Sequence, residues 1–191
     1  MYNYINKEVY TYITVISRIF LHISTKRGDG VVHIDELLTA NRNNHYKLLT
    51  LVGSEEGKKK EIINYLINKD WTVYDVEEVI LELSAEIPEE KIGLRIGHCL
   101  KDWIKEKETK IVLTNTAILY SPELKQIDPV ESFRYRMRGK REAVIFVDGR
   151  LRDDKILYST PDKADFTQVD VSKVVYCRLT EVTTGGGHNE N

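Results

Sequence analysis

The residues best suited to chemistry form one run, Gly53-Ser54-Glu55-Glu56-Gly57-Lys58-Lys59-Lys60, between an apolar stretch ending at Val52 and a helical pattern. A phosphate-binding loop of the form GxxxxGK[ST] occupies this place in P-loop proteins. Its glycines let backbone amides turn inward around phosphates, its lysine reaches the outer phosphates, and its hydroxyl holds magnesium. Aligned without a gap, Lys59 takes the lysine position, Lys58 replaces the second glycine and Lys60 the hydroxyl. With Gly57-Lys58 as the GK pair, the loop is one residue short and Lys59 replaces the hydroxyl. Gly53, Gly57, Lys58, Lys59 and Lys60 are therefore candidate nucleotide contacts, with ATP as the candidate ligand, and magnesium loses its ligand in either register. Glu55 and Glu56 put negative charge where a phosphate would sit, and a carboxylate at a helix N-terminus can stand in for that anion. A plain strand-to-helix turn with a solvated charge run is the other reading.

Two further strand ends carry polar groups. Leu113-Thr114-Asn115-Thr116 stands where a magnesium-holding aspartate would end a strand, but Thr114 and Asn115 are neutral and poor magnesium ligands. Asp148-Gly149 supplies a carboxylate that either senses a ligand or forms a turn. Thr114 and Asp148 are candidate sensors, and Asn115 joins the nucleotide-binding set. Arg134, Arg136, Arg138, Lys140 and Arg141 make the densest basic cluster. Arg134, Arg138, Lys140 and Arg141 are candidate contacts to nucleic acid or to a neighbour's nucleotide. The histidines show no ligand spacing with carboxylates, and no serine has a nucleophile-elbow context.

The elements that must position these groups alternate. Strands are expected at Tyr46 to Val52, Trp71 to Tyr74, Lys110 to Leu113 and Ala143 to Val147, with a final short pair at Ile156 to Tyr158 and Val174 to Tyr176. Helices are expected from Ile34 to Leu38, stopped by Asn41 to Asn44, at Lys59 to Asn68, at Glu77 to Ser84, from Pro88 onward, and after Asp128-Pro129. Apolar strands alternating with helices predict an α/β fold, a three-layer αβα arrangement around a mostly parallel sheet. Ligands of such a sheet bind beyond the carboxyl ends of its strands.

The chain has 191 residues, 41% hydrophobic and 30% charged, enough apolar material for one core. A formal net charge of −2 offers no global attraction to nucleic acid or to an anionic membrane. Cys99 and Cys177 lie far apart without a CxxC or His/Cys cluster, which fits a reducing cytoplasm. Val9 to Ile23 is too short and polar to span a membrane and reads as an amphipathic helix. The expected organisation is 1–30, a helix and linker outside the core; 31–180, a P-loop NTPase-like domain; and 181–191, a loose tail. Lys26-Arg27-Gly28 can be encoded by a purine-rich stretch like a ribosome-binding site, and Val31 or Val32 by an alternative start codon. Residues 1–30 are then either translated upstream sequence or a helix that docks on a partner or on the domain itself.

From Tyr46 to about Tyr176 the chain resembles BrxF, the small P-loop protein of type 3 BREX phage-defence systems. The resemblance is carried by Leu51-Val52-Gly53, by Pro88-Glu89-Glu90-Lys91-Ile92-Gly93-Leu94-Arg95-Ile96, and above all by Ile118-Leu119-Tyr120-Ser121-Pro122-Glu123-Leu124-Lys125-Gln126-Ile127-Asp128-Pro129. That last segment is similar to a family pattern ILFDPxLKQDP with one residue inserted. Leu157-Tyr158-Ser159-Thr160-Pro161 is similar to a later LTYAxP. The resemblance implies a P-loop NTPase fold and a role in bacteriophage exclusion beside larger BREX proteins, including a DNA methyltransferase. A second copy of the chain and DNA are further candidate partners, and a membrane is not.

The chain departs from the family at the GxxGxGKT-type loop and at the LLDN strand end, where only Gly53, Lys59 and Asn115 carry over. The expectation is thus a degenerate, pseudo-ATPase subunit. An active ATPase and a nucleic-acid-binding module built on Arg134 to Arg141 are the alternatives.

Overall fold

The computed structural model describes residues 30–185. The amphipathic helix expected at Val9 to Ile23 lies outside the described residues. The chain enters through β1 (Val32–His33) and α1 (Ile34–Asn43), then β2 (Leu48–Val52) and α2 (Glu56–Ile67). Next come β3 (Thr72–Asp75), α3 (Val76–Ser84), α4 (Ile92–Trp103), β4 (Lys110–Thr114), α5 (Pro129–Arg134) and β5 (Glu142–Val147). It finishes with β6 (Arg150–Arg152), β7 (Lys155–Tyr158), β8 (Thr167–Asp170), β9 (Val175–Arg178) and β10 (Val182–Thr183).

The main sheet has five strands in the order β3-β4-β5-β2-β9, and every pairing in it is parallel. Strand β2 is buried along its whole length, which its run Leu48-Leu49-Thr50-Leu51-Val52 permits because strands covered on both faces need no polar alternation. Its side chains divide by parity. Leu49 and Leu51 join Ile34, Leu38, Ile62 and Leu66 of α1 and α2 on one face. Leu48 and Val52 join Val76, Ile80, Ile96, Leu100 and Phe133 of α3, α4 and α5 on the other. The expected layering of helices on both faces of an α/β sheet is therefore present.

Two helices begin where an aspartate supplies an acceptor for orphan amides. Asp75 caps α3 by accepting from Glu77 and Glu78, and Asp128 caps α5 by accepting from Val130 and Glu131 with Pro129 following it. Pro88 does not itself open the long helix. It precedes a 3₁₀ turn, Glu89–Lys91, which leads into α4. Helix α2 starts at Glu56, three residues ahead of the expected Lys59, because Lys58 and Lys59 both donate backbone N–H to the Glu55 carbonyl.

The last strands depart most from expectation. Ile156 to Tyr158 does not pair with Val174 to Tyr176. Instead β7 lies between β6 and β8 in a separate antiparallel sheet. Its hairpin turns at Asp153-Asp154, with Asp153 at φ +53, a conformation aspartate tolerates. This small sheet sends Ile156 and Val169 into the core beside α3 to α5. The chain then returns as β9 against β2, at the edge of the main sheet. Val182–Thr183, placed in the tail by sequence, pairs with β1.

Gly93 decides how α4 docks. A Cβ there would stand 2.7 Å from the Glu123 carbonyl oxygen, so the helix can approach the Pro122–Leu124 turn only without a side chain. Gly57 in the first turn of α2 faces open space. Glycine-to-alanine normally stabilises a helix by roughly 1 kcal/mol. Gly57→Ala should therefore raise the thermal unfolding midpoint by about 2–4 °C. Gly93→Ala should lower it instead, through overpacking worth about 1–3 kcal/mol. Two shifts of the same sign in differential scanning calorimetry would contradict this packing.

Candidate functional site

The parallel sheet brings the polar strand ends to one edge. The connection leaving β2 crosses to the face covered by α2, whereas the connection leaving β5 crosses to the face covered by β7 and β8. β2 and β5 are neighbours, so their connections part on opposite faces and leave a crevice between them. This is a topological switch point, the place where open α/β sheets bind ligands.

At that crevice the loop after β2 is short. Gly53, Ser54 and Glu55 alone link the strand to α2, and Gly57, Lys58, Lys59 and Lys60 already belong to the helix. Gly53 sits at φ +148, and a side chain there would collide with the Glu55 carboxylate and press on Leu179. Its N–H donates to the Val147 carbonyl at 3.1 Å. The expected nest of amides wrapped around phosphates is thus replaced by a tight turn with a carboxylate folded over the glycine.

Lys59 points into the crevice, and two carboxylates hold it. Its Nζ donates to Asp148 Oδ1 at 3.0 Å and to Glu56 Oε1 at 2.9 Å, with its side chain only 12% exposed. Burial alone would lower its pKa, but the hydrogen bonds and charges of Glu56 and Asp148 outweigh burial and raise it above the ordinary 10.5. Asp148, expected as a sensor or a turn residue, is instead the lysine's counter-ion. Lys58 pairs with Glu61 at 3.0 Å along the helix surface, and Lys60 is exposed. Neither side chain joins Lys59 in an ion pair with Asp148.

The remaining carboxyl-edge residues are engaged too. Asn115 adopts a left-handed conformation, φ +51, and donates its amide N–H to Asp75 Oδ2 at 2.6 Å. Thr114 donates its hydroxyl to the Tyr74 carbonyl at 3.3 Å, tying β4 to β3. Neither supplies a charge, and Lys60 stands where a magnesium-holding hydroxyl belongs, so the residues present do not fit a magnesium-nucleotide complex. Among the described residues no group of three or more His, Cys, Asp or Glu is arranged to hold a metal ion.

Beside this crevice lies a cleft of about 480 Å³, lined by Asn115 and Asp148 together with Glu77, Tyr120, Ser121 and Tyr158 among others. Sequence reasoning missed its aromatic wall. Tyr120 and Tyr158 stack with ring centroids 4.1 Å apart, and they come from the two segments Ile118 to Pro129 and Leu157 to Pro161. Tyrosines in a similarity segment give no signal of whether they pack or line a cavity.

The basic cluster lies at the opposite, amino edge of the sheet, and Arg134 and Arg141 are used internally. Arg134 is buried, pairs with Glu131, donates to the Tyr135 hydroxyl at 2.8 Å and stacks on Tyr46 and Tyr135. Arg141 donates to the carbonyls of Ile104, Lys105 and Lys107, satisfying the end of the α4 segment. Arg136, Arg138, which sits over the Tyr46 ring at 4.7 Å, and Lys140 are exposed. Helix α5 ends at Arg134, and Arg138 reaches the same two tyrosines from the following turn.

Among the described residues no helix is long and apolar enough to cross a membrane. No protein-family model, curated protein or solved structure matches the chain. The likeness to BrxF rests on its short motifs alone. Two of them meet in space, since Gly93 of the first packs on Glu123 of the second.

Because Lys59 holds its proton more tightly folded than unfolded, its bridge adds stability at every pH below about 10.5 and loses it as the pH climbs through the folded-state value. Asp148→Asn should lower the Lys59 pKa, read from its side-chain NMR shifts between pH 9 and 12. An unchanged titration would remove Asp148 as its partner.

Proposed function

We propose that this chain is a catalytically degenerate P-loop-like subunit of a BREX phage-exclusion system, acting by binding other proteins of that system rather than by turning over nucleotide. One observation carries the loss of catalysis: Lys59, the lysine that would reach the outer phosphates, is held between Asp148 and Glu56 at the switch point. A phosphate entering there would have to displace a carboxylate from the lysine and approach Glu55 as well. Supporting the P-loop reading are the β2-turn-α2 unit beside the switch point and the parallel order β3-β4-β5-β2-β9. The phage-exclusion setting comes from the motif resemblance. Genes for a BREX methyltransferase and helicase beside this one would support it, and their absence would leave likeness of motif only.

Fluorescent ATP, titrated with and without magnesium, tests the site. The expected result is weak, magnesium-independent binding with no phosphate release. Asp148→Asn, which frees one side of Lys59, should tighten ATP binding several-fold, on the scale of one charge-assisted hydrogen bond. Magnesium-dependent phosphate release that disappears in Lys59→Ala would overturn the reading in favour of an active ATPase.

A further inference from the structure

We propose that the cleft at the carboxyl edge of the sheet binds an organic cation, an ammonium or guanidinium group, between Glu77, Asp148 and Asp165 and the ring of Tyr158. This goes beyond the phosphate-site reading and does not rest on it. The cleft of about 480 Å³ has the size of a small-molecule site, and no lysine, arginine or histidine lines it.

Its charged groups are all carboxylates. Asp148 already holds Lys59, but Glu77 and Asp165 make no ion pair among the described residues. Asn115 uses its amide N–H on Asp75, which leaves its carbonyl oxygen as an acceptor. A second, independent feature marks the cleft as a place for a ligand. Tyr120 is 1% exposed and stacked on Tyr158, yet its hydroxyl has no hydrogen-bond partner. A buried polar atom left unpaired is costly and calls for a partner. Burial, and then the charges of Asp128 and Asp148 and the neighbouring Tyr158, keep that hydroxyl protonated, so it offers lone pairs and one O–H rather than charge.

Ammonium and guanidinium groups carry donors only, which complements a lining rich in acceptors. Aromatic rings add cation–π attraction. The described carboxylates do not converge as a metal-binding group, so a cation with donors spread along its length fits better than a bare metal ion. Asp148 is shared between cleft and crevice, so the bound cation competes with Lys59 for it.

Isothermal titration of the full chain with agmatine, spermidine and a short arginine-containing peptide tests the proposal, with glutamate as the anionic control. Saturable binding of a cation, and none of glutamate, is expected. Tight binding of agmatine or spermidine identifies a free small molecule. Saturation by the peptide alone identifies a partner's side chain, and either outcome upholds the site. Asp165→Asn and Glu77→Gln should each weaken binding about tenfold, as loss of a charge-assisted hydrogen bond does. Tyr120→Phe should weaken it about threefold while leaving the thermal midpoint unchanged or raised, since it removes an unsatisfied hydroxyl. The absence of saturable binding by any of the three cations would overturn the proposal, as would affinities unchanged in all three variants.

Discussion

Strand β2 pairs on both edges and is covered on both faces, and this fourfold enclosure constrains everything around it. A strand so placed must be apolar throughout, which Leu48 to Val52 satisfies with every residue buried. Its partners β5 and β9 must run parallel to it, because each returns to the sheet through a long crossover. Parallel strands end at the same edge. The residues following β2, β4 and β5, namely Gly53, Asn115 and Asp148, are therefore brought to one edge although they are far apart in sequence. The crevice and the adjoining cleft follow from that register rather than from any local motif.

What occupies the edge is decided by competition among charges. A lysine buried to 12% exposure needs a counter-ion, because an unpaired ammonium out of water is strongly disfavoured. Asp148 and Glu56 supply it from within the chain. The same carboxylates that make Lys59 comfortable in the folded protein make the crevice a poor place for phosphate. Stability of this ion-pair cluster and affinity for an anion thus pull against each other here.

Much of this was legible in the residues. The strands Lys110 to Leu113 and Ala143 to Val147 are visible as apolar runs, and the caps Asp128-Pro129 and Pro88 mark where helices or turns begin, because those signals are local. That Gly53, Lys59, Asn115 and Asp148 lie at one edge follows from their places just beyond the carboxyl ends of parallel strands. What could not be read was partnership. Apolar periodicity says that Ile156 and Val175 are buried but not beside which strand, so the separate β6-β7-β8 sheet was mistaken for a terminal pair. Charge along the sequence says equally little about burial. Arg134 and Arg141 looked like a solvent-facing patch, whereas one lies under two tyrosines and the other fastens helix-end carbonyls.

The distribution of charge between the two edges has a common cause in the helices. In a parallel α/β sheet each crossover helix runs back against its strands, so helix N-termini collect at the carboxyl edge and C-termini at the amino edge. Peptide dipoles make the first edge electropositive and the second electronegative. A nucleotide-binding protein can satisfy its N-termini with bound phosphate. Here Glu55 and Glu56 stand at the start of α2, Asp75, Glu77 and Glu78 at the start of α3, and Asp128 and Glu131 at the start of α5. At the other edge Arg141 meets the carbonyls ending the α4 segment. The chain provides its own anions at each of these N-termini, so its helices need no phosphate to complete them. With carboxylates already at these helix starts, the dipoles no longer favour an anion at this edge as fold geometry alone would.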